Sequence, residues 1–149
     1  MAETLGMLCD KLTIVKLKQY HTEDADRLAS LNKQASDLQT EIDTYLFDAV
    51  HGNIPESKLT FEANKVFKKE GNDTGEVTGN IAEVFYRLAD VNCRLWHEQE
   101  KVYDFEKVPA GKKDQVVKQL SLLNLERNKC IDSINSQLVE LIKKKNKDS

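Results

Sequence analysis

Three polar residues occupy positions in apolar helical seams where leucine or isoleucine is expected. Asn92 lies between Leu88 and Leu95, and Asn124 and Arg127 lie between Leu120 and Ile131. An arginine at such a place has a limited range of chemistry. Its fork can pair with an internal carboxylate, since an unpaired buried charge is costly, and the resulting polar layer fixes helix register. It can instead hold a small anionic ligand through two parallel N–H bonds. It can also reach past the seam into solvent. Asp10 and Glu98 are the nearest candidate carboxylates. The buried layer is the favoured reading. The alternative is a ligand site built from Asp10, Lys11, Asn92, Asn124 and Arg127.

Other reactive residues form weaker patterns. The histidines at 21, 51 and 97 have no His partner three or four residues away. His97 and Glu100 share a face, but the His precedes the acid, and no further carboxylates stand in phase for a helical di-metal site. Glu23-x-x-Asp26 lacks the second acidic box of the magnesium-dependent helical pyrophosphohydrolases. The four arginines are 27, 87, 94 and 127, and with only Arg127 in phase they do not converge as a chorismate mutase requires. Gly71, Gly75 and Gly79 follow no clear strand and lack the Gly-Lys-Ser/Thr of a phosphate loop. Cys9, Cys93 and Cys130 have no CxxC spacing and no visible activating neighbour, so they read as small core residues. Trp96 and Tyr103, seven apart, read as core or dimer contacts. No catalytic residue, metal or cofactor is expected.

The elements that would position these residues are helices. Apolar spacing of three and four runs from Glu3 to His51, through Met7, Ile14, Leu17, His21, Leu28, Leu31, Ala35, Leu38, Ile42, Tyr45 and Ala49. The register continues through His21, yet Thr22-Glu23-Asp24 has the form of a helix cap. Two helices, about 3–21 and 23–51, are therefore expected, with Gly52 as the stop. Residues 52–79 form an irregular insertion. Within it, 58–63 alternates like a strand while Leu59, Ala63, Val66 and Phe67 share a helical face. A third helix, about 80–107, opens with the capping pattern Asn80-Ile81-Ala82-Glu83. A fourth, about 112–145, carries the seam Val117, Leu120, Asn124, Arg127, Ile131, Ile134, Leu138 and Leu141. The short turn 108–111 makes these two helices antiparallel neighbours. Asn92 and Arg127 then fall at similar height. The fold class is all-α, an antiparallel helical bundle in one domain.

Three stretches also carry a family resemblance. They are Leu8-Cys9-Asp10-Lys11-Leu12-Thr13-Ile14, then Asn92-Cys93-Arg94-Leu95-Trp96, then Asn124-Leu125-Glu126-Arg127 with Ile134-Asn135 beyond. In this order they resemble a domain-of-unknown-function family of small helical bacterial and phage proteins. The resemblance implies an all-helical fold and points to these three stretches. It implies no activity.

Bulk composition narrows the function classes. The 149 residues carry 22 basic and 25 acidic groups. The first 75 residues hold 9 basic and 13 acidic groups, and the remainder 13 and 12. Neither half is a basic footprint for nucleic acid. No apolar run approaches the ~18–20 residues of a membrane span. No export signal opens the chain, so a reducing cytoplasm is the expected setting. The run Lys143, Lys144, Lys145 and Lys147 suits a helix C-terminus. Two functions remain. One is a non-catalytic interaction module that self-associates as a dimer or binds another helical protein, using Leu5, Leu8, Leu12 and Val15 as a second apolar stripe. The other is an anionic-ligand binder or enzyme built on the polar layer, with 52–79 as a lid.

Overall fold

A computed structural model describes residues 3–60 and 77–148. It holds four α-helices: α1 (Leu5–Tyr20), α2 (Ala25–Val50), α3 (Ile81–Tyr103) and α4 (Ala110–Asp148). Short 3-10 turns lie at Glu56–Lys58 and Phe105–Lys107. No strand occurs among the described residues. Leu59 is described and buried, but the rest of the helical face at 63–67, residues 61–63 of the strand alternative, and most of the lid lie outside the described residues.

The long first seam breaks where the cap pattern stands. Tyr20 ends α1, and the Thr22 hydroxyl donates back to the Lys18 carbonyl at 2.5 Å. Asp24 then opens α2, its carboxylate accepting from the N–H groups of Asp26 and Arg27. Each cap satisfies helix-end groups that would otherwise lack partners. Gly52, at φ 75°, stops α2 in the left-handed region that favours glycine. The Asn80 side chain accepts from the Glu83 N–H at 3.0 Å and starts α3. The fourth helix begins earlier than the expected 112. Pro109 supplies the first carbonyl, bonded to the Lys112 N–H, and Gly111 lies inside the helix.

α1 is the helix that all the others share. It packs on α2, α3 and α4, while α3 and α4 pack on each other as an antiparallel hairpin. Its stripe Leu5, Leu8 and Val15 is buried inside the chain rather than offered to a partner. That removes the apolar stripe expected for self-association. On α4 the buried residues are Val116, Leu123, Cys130, Ile131, Ile134, Leu138 and Ile142, whereas Val117 and Leu141 of the expected seam are exposed. Two seams one residue apart fit the same sequence. The choice between them is made by where α3 and α1 lie, because α4 has two partners on different sides.

The core falls into two parts. The larger gathers Leu5, Cys9, Ala49, Leu59, Leu88, Ile134 and their neighbours where α1 begins and α4 ends. The smaller is Val91, Leu95 and Leu123, with Leu120 against them, nearer the hairpin turn. Gly6 sets the approach of α1 to α4. A Cβ there would stand 2.4 Å from the Ile131 carbonyl oxygen. Gly6→Ala is expected to cost about 1–3 kcal/mol through this clash. Gly111→Ala, whose Cβ would meet nothing within 4 Å, is expected to add about 0.5–1 kcal/mol by helix propensity. Urea unfolding of both variants beside wild type checks the pair.

Candidate functional site

The boundary between the two core clusters is polar. Asp10 of α1 is 4 % exposed and Asn92 of α3 is 3 % exposed. On α3, Asn92 stands between Leu88 of the larger cluster and Leu95 of the smaller. On α4, Arg127 stands between Leu123 and Cys130 in the same way. The three side chains converge on one carboxylate. Arg127 donates from Nε to Asp10 Oδ1 at 2.9 Å and from Nη2 to Oδ2 at 2.5 Å. Asn92 Nδ2 donates to the same Oδ1 at 2.9 Å and to Thr13 Oγ1 at 2.7 Å. Thr13 in turn donates to the Asp10 backbone carbonyl. Both hydrogens of the Asn92 amide are thereby used.

Electrostatics follow from this arrangement. A forked arginine–carboxylate pair is strong and geometrically specific. The hydrogen bond to Asp10 raises the Arg127 pKa above its ordinary value, burial opposes this, and the carboxylate charge adds to the rise. Arg127 is still 31 % exposed at its side chain, whereas that of Asp10 is 5 % exposed. The pair is a buried acid held by a base that reaches in from the surface.

Of the five residues expected to form a ligand set, Asp10, Asn92 and Arg127 meet. Lys11 is exposed and pairs with Glu3. Asn124 is exposed and donates to the Leu120 carbonyl of its own helix. Its position in the other seam explains this, because that seam faces α1 only where Arg127 and Ile131 lie. Glu98, the second candidate carboxylate, pairs with Lys101 instead. Two participants were not singled out as site residues. Thr13 lies one turn past Asp10, a spacing that puts both on one face. Asn135 is 1 % exposed, and its Oδ1 accepts the Gly6 N–H at 2.7 Å, serving the start of α1 beside the Thr4 cap. Its place in a buried seam next to Ile134 was the available signal.

The cysteines divide. Cys9 and Cys130 are buried, but Cys93 is exposed, contrary to the core role expected for it. Burial pushes the Cys9 thiol up to about 11, and the Asp10 carboxylate adds to the rise. Burial also pushes Cys130 up to about 11, opposed by Arg87 and assisted by Glu126. Among the described residues no three His, Cys, Asp or Glu side chains cluster as a metal site. No described helix is long and apolar enough to cross a membrane. A groove of about 730 Å³ lies at the hairpin turn, lined by residues such as Glu98, Lys101, Lys112 and Val116 and by none of the polar layer. No family model, no curated protein and no solved structure matches this chain.

Removing one partner of a buried ion pair costs about 3–5 kcal/mol. Water reaching Asp10 along the partly exposed Arg127 lowers this, so Arg127→Met should lose about 2–3 kcal/mol. Arg127→Lys, which keeps the charge but not the fork, should lose less. Denaturant titration at fixed protein concentration measures both.

The thiols give a separate test. At pH 8 a thiol reagent should label one cysteine in the native protein and three in denaturant. The buried thiols keep their protons up to higher pH than unfolded thiols do. Their contribution is therefore whole below the unfolded value and is lost as pH rises toward about 11. Unfolding free energy measured from pH 8 to 11 should fall.

Proposed function

We propose that this chain is a non-catalytic helical interaction module that self-associates as a dimer. One observation carries the reading. The polar layer satisfies itself, with Arg127 and Asn92 both spent on Asp10, while large apolar side chains stand in solvent elsewhere. Tyr20, Tyr86 and Tyr103 are each more than three-quarters exposed, and Phe47, Val117 and Leu141 each more than half. A buried polar layer of this kind specifies helix register. Exposed aromatic side chains are enriched at protein interfaces.

A second reading rests on the partial exposure of Arg127. Its fork edge toward Asp10 is occupied, but the side chain remains 31 % exposed, and a small anion could share the guanidinium from outside. This reading makes the layer a ligand site in an uncharacterised binder or enzyme.

Two measurements on the wild-type chain decide between them. Light scattering across a concentration series should give a mass that rises from monomer toward dimer. Calorimetric titration with inorganic phosphate and with acetate should give no heat that Arg127→Lys abolishes. A strict monomer at every concentration overturns the dimer reading. Saturable anion binding lost in Arg127→Lys supports the second.

A further inference from the structure

The outer face of α3 carries a pair of side chains that the polar layer does not use. Cys93 and His97 are both exposed. They stand about 140° and 180° round the helix from the buried Leu88, on the side away from the core. Four residues apart, they share one stripe, with Cβ atoms about 5–6 Å from each other. A thiolate and an imidazole at this spacing can close on one metal ion. Read as a core residue, Cys93 has no partner; turned outward, it has His97.

The surroundings favour a cation. The same stripe, repeating at three and four, runs through Asp90, Cys93, His97, Glu100 and Asp104. The basic residues beside it are already engaged: Arg94 pairs with Asp90 at 3.1 Å and Lys101 with Glu98 at 3.0 Å. Glu100 and Asp104, three and seven residues past His97, add negative charge. The donor set chooses the cation. Magnesium and calcium take oxygen ligands, whereas a thiolate with an imidazole suits zinc. A structural zinc takes four such ligands. One chain supplies two, and among the described residues no three such side chains cluster. Two chains related by a two-fold axis, the commonest symmetry of oligomers, supply four.

We propose that Cys93 and His97 form half of a zinc site, completed by the same two residues of a second copy, with α3 packed on α3. The proposal rests on the interaction-module reading and gives its dimer a surface and a metal. Antiparallel α3 helices that set Cys93 of each copy beside His97 of the other also bring Glu100 of one toward Asp90 of the other. This approach of like charges weakens the pairing without metal, and the two positive charges of zinc offset it. Tyr86, 79 % exposed and seven residues before Cys93, lies on the same stripe and extends the contact. Each Zn–S bond replaces an S–H bond whose proton passes to the buffer, so acid loosens the site.

The test is sedimentation velocity on the full chain with zinc chloride, with magnesium chloride and with EDTA, under a non-thiol reductant that excludes a disulfide between copies. The variants are Cys93→Ser and His97→Gln, both at exposed positions, and circular dichroism checks that helicity is kept. Thiol labelling gives a second readout, because Cys9 and Cys130 are buried and Cys93 is not. The expected result is one zinc bound per two chains. Zinc, and not magnesium, should tighten self-association at least tenfold and slow the labelling of Cys93, EDTA should reverse both, and either substitution should abolish both. Cobalt in place of zinc should give a thiolate charge-transfer band that Cys93→Ser removes. One zinc bound per monomeric chain overturns the shared site. A dimer equally tight in EDTA and in Cys93→Ser overturns the metal and leaves the dimer reading standing. A chain that stays monomeric with and without zinc overturns both.

Discussion

Burying the carboxylate of Asp10 is the constraint around which the rest of the structure is arranged. An isolated carboxylate at 4 % exposure would take up a proton or keep its helix from docking. Docking α1 therefore requires a guanidinium from α4 and an amide from α3 at the same point. This requirement fixes three things together. It sets the height of α1 on the hairpin, the rotation of α3 about its axis through Asn92, and that of α4 through Arg127. Sliding α1 against α4 by one turn would leave a buried charge unpaired, a cost that apolar contacts alone would not impose. The layer also divides the core, so the two apolar clusters on either side cannot exchange partners.

The second anchor lies two turns of α4 away and is neutral. Gly6 lets α1 approach the Ile131 carbonyl, and the Asn135 side chain bonds to the Gly6 N–H. The start of α1 is thus capped from inside by Thr4 and from across the interface by Asn135. Close approach, capping and charge pairing all act on the first half of α1. Its last turn is held by looser means: the Gln19–Asn32 bond to α2 and the ring of His21 on Trp96. The difference in length is then decisive. A 16-residue α1 cannot cover a 39-residue α4, and the apolar side chains past its end stay in water.

Three separate stretches of the sequence meet around the polar layer and the start of α1. The three stretches supply Asp10 and Thr13, Asn92, and Arg127 with Asn135. They are far apart in the chain, yet Asp10, Thr13, Asn92 and Arg127 form one polar layer, and Asn135 bonds to the start of α1. The bonds they make are internal, which suits residues needed to define a fold.

Much of this was determined by the sequence alone. The 3-and-4 spacing sets the helices. Thr22 to Asp24, Gly52 and Asn80 set three of their boundaries, because caps and left-handed glycines act over a few residues and need no distant partner. An arginine in an apolar seam demanded a carboxylate, and Asp10 was one of two within reason. Other features were decided only in three dimensions. Whether Asp10 or Glu98 met Arg127 depended on which helix docked on the hairpin. Whether Val116 or Val117 turned inward depended on the direction of α3, because two heptad-like seams one residue apart fit α4 equally well. Asn124 and Cys93 lie in the same stretches as Arg127 and Asn92, but they point to solvent because α1 covers one strip of the hairpin and no more. Local chemistry writes the helices and their ends; which face of each is dry depends on partners that sequence spacing does not name.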